Sequence, residues 1–324
     1  MNRCFKTFIP VGVVLFTLFS TGNTWAQEPR ALYDAMKGGV CSPNSERLHE
    51  DAVKGDLQAQ LEFGKAIQQN LCGVVEQFSP GMPEEWFRKP AEQGNAEAQA
   101  ELAYELSSDW SVEGEDAGVY WSLKAAEQGN AKAQFHLAQI YHRGGRSIKN
   151  LKDMDKAMAY YNQSAEGGYP DAYMLLAMIY QEGDGVPQDD VAAAKWFRKF
   201  AETGNASGQF DFAEVLAEGR GVEKDEASAF DWFGKSAAQG NEYAQYEMAR
   251  MFEQGRGAKR NEREAASLYR KAADAGYGKA QLALGNMYAQ GRGGLTKSKA
   301  KAKFWMLKAV ERSAPGAEEA LNSL

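Results

Sequence analysis

Proline, cysteine, histidine and positive charge are all in short supply in this chain, and each shortage removes a class of protein. Nine prolines in 324 residues leave room for uninterrupted helices, because a proline ring inside a helix removes a donor and clashes with the preceding turn. Three cysteines are too few to place a disulfide in every unit of a long chain. The three histidines, His49, His136 and His142, would form a metal site only if they met. His136 and His142 are six residues apart, roughly 240° around a helix, and neither has a cysteine nearby in sequence, so no metal or cofactor is expected. Acidic residues outnumber basic ones 44 to 37, a net charge of −7, and such a chain has no electrostatic reason to seek nucleic acid. Catalytic strings are missing too. The one S-x-x-K string, Ser298 to Lys301, has no S-D-N or K-T-G partner anywhere, which hydrolases built on that serine require. The Gly-x-Gly segments lack the preceding strand and following lysine of a phosphate loop.

The first 26 residues differ from the rest. Arg3 and Lys6 precede an apolar run from Phe8 to Phe19, and Thr24-Trp25-Ala26 places small residues where a signal peptidase reads. Cleavage after Ala26 is expected, which places the mature chain in the periplasm or outside the cell. A retained membrane anchor is the other reading, and the apolar run is short for one. Losing Arg3 and Lys6 moves the net charge from −7 to −9 and leaves Cys41 and Cys72. Both fall in turns of successive units at the N-terminal end, 31 residues apart. A bridge between them would add about 3–4 kcal/mol by constraining the unfolded chain.

What the chain has in abundance is one recurring phrase. Its cleanest copy is PDAYMLLAMIYQEGDGVPQDDVAAAKWFRKFAETGN, residues 170–205. Gly55, Gly94, Gly129, Gly168, Gly204, Gly240 and Gly276 mark the register, at spacings of 39, 35, 39, 36, 36 and 36 residues. A fixed period of this size specifies a stack of similar units, each buried against its neighbours. The units run 57–95, 96–130, 131–169, 170–205, 206–241, 242–277 and 278–313. An abbreviated capping unit, 27–56, precedes them and a short closing helix, 314–324, follows. Irregularity is confined to three early loops, 72–83, 109–116 and 143–153.

Each unit reads as helix, turn, helix. The first helix carries A-x-A-Q-x-x-L-A-x-x-Y, as in Ala131 to Tyr141, with Ala133, Leu137, Ile140 and Tyr141 on one face. The turn is Gly-x-Gly, where glycine allows the backbone to leave the helix. A polar residue then opens the second helix, as Asn261 does with Glu264 three residues on. Aromatics follow at a fixed place: Tyr160 and Tyr161, Trp196 and Phe197, Trp232 and Phe233, Tyr269, Phe304 and Trp305. The second helix closes on Gly-Asn at Asn95, Asn130, Asn205 and Asn241, each placed to cap the next first helix.

These residues closely resemble the Sel1-like repeat (SLR) family, a relative of the tetratricopeptide repeat. Units from 170 to 313 match almost position for position, and the earlier ones match at the helices. The resemblance implies an all-α, right-handed superhelical solenoid whose role is to hold other proteins together. It implies a non-enzymatic scaffold or adaptor, a monomer with another protein or peptide as partner and no membrane-spanning segment in the mature chain. A secreted protein that engages host proteins is an alternative. So is β-lactam recognition, which cysteine-rich members have raised, although Ser298 reads more simply as a helix cap.

In related solenoids the first helices line the concave face. Their fifth position, counted from the opening alanine, holds Ala100, Phe135, Met174, Phe210, Tyr246 and Leu282. Their ninth holds Tyr104, Gln139, Met178, Glu214, Arg250 and Asn286. Phe135, Met174, Met178, Phe210, Tyr246 and Leu282 are therefore the candidate groove residues for an apolar or extended peptide. The competing reading packs the fifth position against the preceding unit. The lysines at 297, 299, 301, 303 and 308 form a basic run, either a solvated helix face or a contact for anionic polymer or lipid.

Overall fold

The computed structural model describes residues 28–39, 43–71, 74, 82–108, 112–144 and 152–324. The expected signal segment and both members of the expected Cys41–Cys72 bridge lie outside the described residues.

Every regular element among the described residues is a helix. They are α1 (Glu28–Lys37), α2 (Pro43–Val53), α3 (Leu57–Gln68), α4 (Pro83–Glu92), α5 (Ala96–Ser108), α6 (Val112–Glu127), α7 (Ala131–Arg143), α8 (Met154–Glu166), α9 (Pro170–Glu182), α10 (Asp190–Glu202), α11 (Ala206–Glu218), α12 (Glu226–Ala238), α13 (Glu242–Gln254), α14 (Glu262–Asp274), α15 (Gly278–Gln290), α16 (Lys299–Glu311) and α17 (Ala317–Asn322). The chain forms two compact units, one ending at Ala133 and one starting at Gln134. The fold is the expected all-α array of helix–turn–helix repeats. The closing helix starts at Ala317 with Gly316 at its cap, so Ala314 and Pro315 of the expected 314–324 segment precede it.

Within the second unit the core is a column of aromatic side chains from the second helices. Tyr161, Phe197, Phe233, Tyr269 and Trp305 recur every 36 residues, and each is at least nine-tenths buried. Small residues around them, such as Ala138, Ala177, Ala213 and Ala249, are buried completely and let the helices close up. The caps work as the sequence reading expects. Asn205 Oδ1 accepts from the backbone N–H groups of Ser207 and Gly208 at 2.8 and 3.1 Å. Asn241, Asn95 and Asn130 accept similarly from Ala244, Ala98 and Ala133. Asp189, Asp225 and Ser298 do the same for second helices.

The two glycines of each turn have different tasks. The first, at Gly183, Gly219, Gly255 and Gly291, adopts left-handed φ values of 72–75° and caps its helix. The second lies against the preceding repeat. A Cβ on Gly221 would sit 1.9 Å from the Asp190 carbonyl oxygen, and one on Gly257 would sit 2.1 Å from that of Glu226. Between the glycines, Arg256 Nε donates to Glu226 at 2.9 Å, and Arg292 Nη2 donates to Glu262 at 3.1 Å. The turn of one unit is thus fastened to the start of the second helix of the unit before it.

The glutamine of A-x-A-Q also serves packing. The side-chain amides of Gln60, Gln99, Gln245 and Gln281 each donate to a carbonyl eight residues earlier, at 3.0–3.3 Å. Each bond ties a first helix to the end of the preceding second helix. Gln99 receives a further bond at 2.8 Å from Gln128, and Gln209 receives one of the same length from Gln239. Position 275 is alanine and position 311 glutamate, and the buried Gln281 Oε1 has no hydrogen-bond partner.

Candidate functional site

The first helices of the later repeats lie side by side, and two open clefts run between them. One, of about 230 Å³, separates α11 from α13 and is lined by Glu214, Glu218, Glu247, Arg250, Met251 and Arg256, with Phe233 beneath. The other, of about 330 Å³, separates α13 from α15. Its walls include Tyr246, Arg250, Leu282 and Asn286, Tyr269 forms part of its floor, and Arg292 stands at one end. Successive first helices therefore supply walls, and the buried aromatic column of the second helices supplies the floor.

Of the expected groove residues, Tyr246 and Leu282 line the larger cleft, together with Arg250 and Asn286 from the ninth position. Met178 is 40% exposed and Met174 is half-buried. The fifth-position aromatics are more embedded than a free ladder would be. Phe135 packs against Tyr161 and Tyr169, with ring centroids 5.8 and 5.2 Å apart. Phe210 packs against Phe233 and Tyr243 at 5.6 and 6.0 Å, and Tyr246 against Tyr269 and Tyr277 at 5.6 and 5.1 Å. These partners are the second helix of the same repeat and the junction to the next, not the preceding unit. Tyr169 and Tyr277 occupy the cap position held elsewhere by asparagine, where they give no side-chain cap and add a ring to this cluster. The regular spacing of Phe210 to Phe233 and Tyr246 to Tyr269, 23 residues in both, was the available signal for this pairing.

The electrostatics of the smaller cleft were not foreseen. Burial raises the Asp211 carboxyl to about 6, against the opposing pull of Arg220. Burial likewise raises Glu214 to about 7, reinforced by the negative charges of Asp211, Glu218 and Glu247 and opposed by Arg220. Glu247 is bridged to Arg250 at 3.0 Å. Arg292 meets Glu253 at 2.8 Å. The cleft face is therefore a half-buried, mixed-charge surface over aromatic rings, suited to an extended chain with polar and apolar side chains.

The other candidates are engaged structurally. The Ser298 hydroxyl accepts from the Lys301 backbone N–H at 3.3 Å, and the Lys301 ammonium lies 5.3 Å from the centre of the Tyr288 ring. The Ser298 hydroxyl is thus engaged as a helix cap. His142 meets the Tyr161 hydroxyl at 3.2 Å through Nδ1 and Asp184 at 3.0 Å through Nε2. Among the described residues no cluster of three metal-ligating side chains occurs, and no helix is long and apolar enough to cross a membrane.

Comparison with known proteins gives a consistent answer. The family model of the Sel1 repeat matches residues 96–130, 131–169, 170–205, 206–241, 242–277 and 278–313. A solved protective antigen present in uropathogenic Escherichia coli strains, displaying an SLR fold, is 27% identical with a TM-score of 0.67, over 86% of this chain and 67% of that one. A Sel1 repeat protein from Oxalobacter formigenes is 26% identical with a TM-score of 0.63, over 94% of this chain and 92% of that one. Curated proteins yield no match. Sel1 repeats mediate protein–protein interaction and typically form non-enzymatic scaffolds. With six matched segments in series and the repeat packing just described, this chain belongs to the Sel1 repeat family.

Proposed function

We propose that this protein is an exported, non-enzymatic interaction scaffold that holds an extended segment of a partner protein along the first helices of its later repeats. The observation that carries this reading is the pair of clefts flanking α13, which share Arg250 and rest on Phe233 and Tyr269. Arg250, Leu282 and Asn286 line the clefts and are reachable by a ligand, and Met178 stands exposed on the earlier first helix α9. Phe210 and Tyr246 pack against the floor rings Phe233 and Tyr269 respectively, and Phe135 plays the same part for Tyr161 in its own repeat. The amino-terminal segment, with its basic start, apolar run and Thr24-Trp25-Ala26, supports export to the periplasm or beyond. Similarity to a protective antigen favours, as a second reading, a secreted protein that meets host proteins.

Purified protein carrying Leu282→Glu and Asn286→Glu, compared with wild type in pull-downs from envelope and secreted fractions, tests the reading. The partner band is expected to disappear while the far-ultraviolet dichroism stays unchanged. Retention of the same partner by the variant would refute the cleft as the binding face. Recovery of the mature chain from culture medium, and not from the periplasm, would favour the second reading.

A further inference from the structure

The last repeat is chemically unlike the others. Residues 278–313 contain eight lysines and arginines and a single glutamate, Glu311, for a net charge of +7. The whole chain carries −7, so the remainder carries −14. The charge is concentrated on α16 and the turn before it. Among the described residues, no acidic group within ion-pairing distance is recorded for Lys297, Lys299, Lys301, Lys303 or Lys308. Two of them lie over rings: Lys301 over Tyr288 at 5.3 Å, and Lys308 over Phe304 at 4.8 Å. Lys297, Lys299 and Lys303 face solvent.

The outer face of α16 has a second property. Ala300, Lys303, Phe304, Leu307, Lys308 and Glu311 follow helical spacing and are all exposed. Phe304 is 52% and Leu307 43% exposed. The equivalent positions earlier in the array are Trp196, Trp232 and Leu268, and these are half-buried against neighbouring helices. The six-residue α17 that follows α16 buries Ala317 and leaves Phe304 and Leu307 in solvent. An aromatic and a leucine surrounded by lysines form the surface of an interfacial helix. The apolar pair enters the boundary between headgroups and acyl chains while the ammonium groups meet anionic headgroups.

From this juxtaposition we propose that the outer face of α16 docks on an anionic phospholipid bilayer. Charge complementarity selects the occupant. The lysines act locally, because ions screen the acidic remainder beyond about 8–10 Å. A second copy docking through the same face is disfavoured, because a two-fold contact would set the lysines of one copy against those of the other. A duplex nucleic acid would use the lysines but would leave Phe304 and Leu307 without a role. The inference does not rest on the cleft reading, because the clefts are bounded by α11, α13 and α15.

Co-sedimentation of the purified full chain with vesicles, phosphatidylcholine alone or with about one-third phosphatidylglycerol, tests the proposal. The expected result is binding to the anionic vesicles, weak binding to the neutral ones, and loss of binding as salt is raised. Replacing Lys297, Lys299 and Lys303 by glutamine is expected to weaken partitioning roughly fivefold per residue, about a hundredfold together. These side chains are exposed and glutamine keeps the inner part of each, so this variant retains its fold and keeps the test decisive. Phe304→Ser with Leu307→Ser is expected to weaken binding about tenfold or more, with the melting curve as a check on folding. Equal binding to both vesicle types, no binding to either, or an unchanged lysine variant would overturn the proposal. So would self-association without lipid that the Phe304/Leu307 variant abolishes, which would make the occupant a second copy. Tighter binding of a duplex DNA than of the anionic vesicles would overturn it in favour of nucleic acid.

Discussion

Substituting Gly257 by alanine places a methyl group 2.1 Å from the carbonyl oxygen of Glu226 in the preceding repeat. An ordinary carbon–oxygen contact needs more than 3 Å, so the turn would have to retreat by about 1 Å or rotate. Two costs follow. Alanine at φ 65° carries a backbone penalty of about 1–2 kcal/mol. Forcing the repeats apart adds a term of about 1–3 kcal/mol, as overpacking does elsewhere. It also strains the Arg256–Glu226 bond at 2.9 Å. Gly240 is the control: its φ is 92°, yet a Cβ there meets nothing within 4 Å. Gly240→Ala should therefore lose only the backbone penalty, and Gly257→Ala about 2–5 kcal/mol in total. Urea denaturation followed by circular dichroism measures both, with proteolysis to localise any subglobal opening, since repeat arrays need not unfold in one step. Equal losses in the two variants would refute the claim that the second glycine exists for the approach of neighbouring repeats.

The glutamine ties give a second comparison. Gln99→Leu strips Ala91 O and Gln128 of a partner and should cost about 1–3 kcal/mol, whereas Gln281→Leu, whose Oε1 is already without one, should cost about 1 kcal/mol or less; denaturant midpoints separate them. Glu214 predicts a pH effect of definite sign. Its carboxyl holds a proton more tightly folded, near 7, than at its ordinary 4.5, so the folded state loses relative stability as pH rises through that window. Glu214→Gln should raise stability by about 1–2 kcal/mol at pH 8, after allowance for solvent screening, and by almost nothing at about pH 4 or below, beneath the unfolded value of 4.5; a benefit independent of pH would contradict this cause. Ser298→Ala should lower stability by about 1 kcal/mol through loss of its cap. Neither it nor wild type should turn over nitrocefin, and hydrolysis by wild type abolished in the variant would restore the catalytic reading.

Much of the fold was legible because its determinants are local and repeated. Gly-Asn junctions, the A-x-A-Q-x-x-L-A run and the aromatic column recur at a constant period, and each has a single physical use that the structure bears out. Less legible was what each residue touches beyond its own helix. The second glycine of the turn reads as backbone freedom, but its partner is a carbonyl about 30 residues earlier. Phe135, Phe210 and Tyr246 read as either groove or inter-repeat packing, and their main partners are in their own repeat. Asp211 and Glu214 gave no signal, because an acid on a helix is ordinary until burial and its neighbours are known. The exposure of Phe304 could not be read at all, since its sequence position matches that of half-buried tryptophans.

Site-specific photocrosslinking tests the central claim most directly. A photoreactive residue at Leu282 or Asn286, in the cleft between α13 and α15, is compared in the native envelope with one at Arg198 or Lys199 on the exposed side of α10. The expected result is one adduct of defined mass from the cleft positions, absent from the α10 positions and suppressed when Arg250 is replaced by glutamate. The same adduct from α10, with none from the cleft, would contradict the account and move the working surface to the second helices.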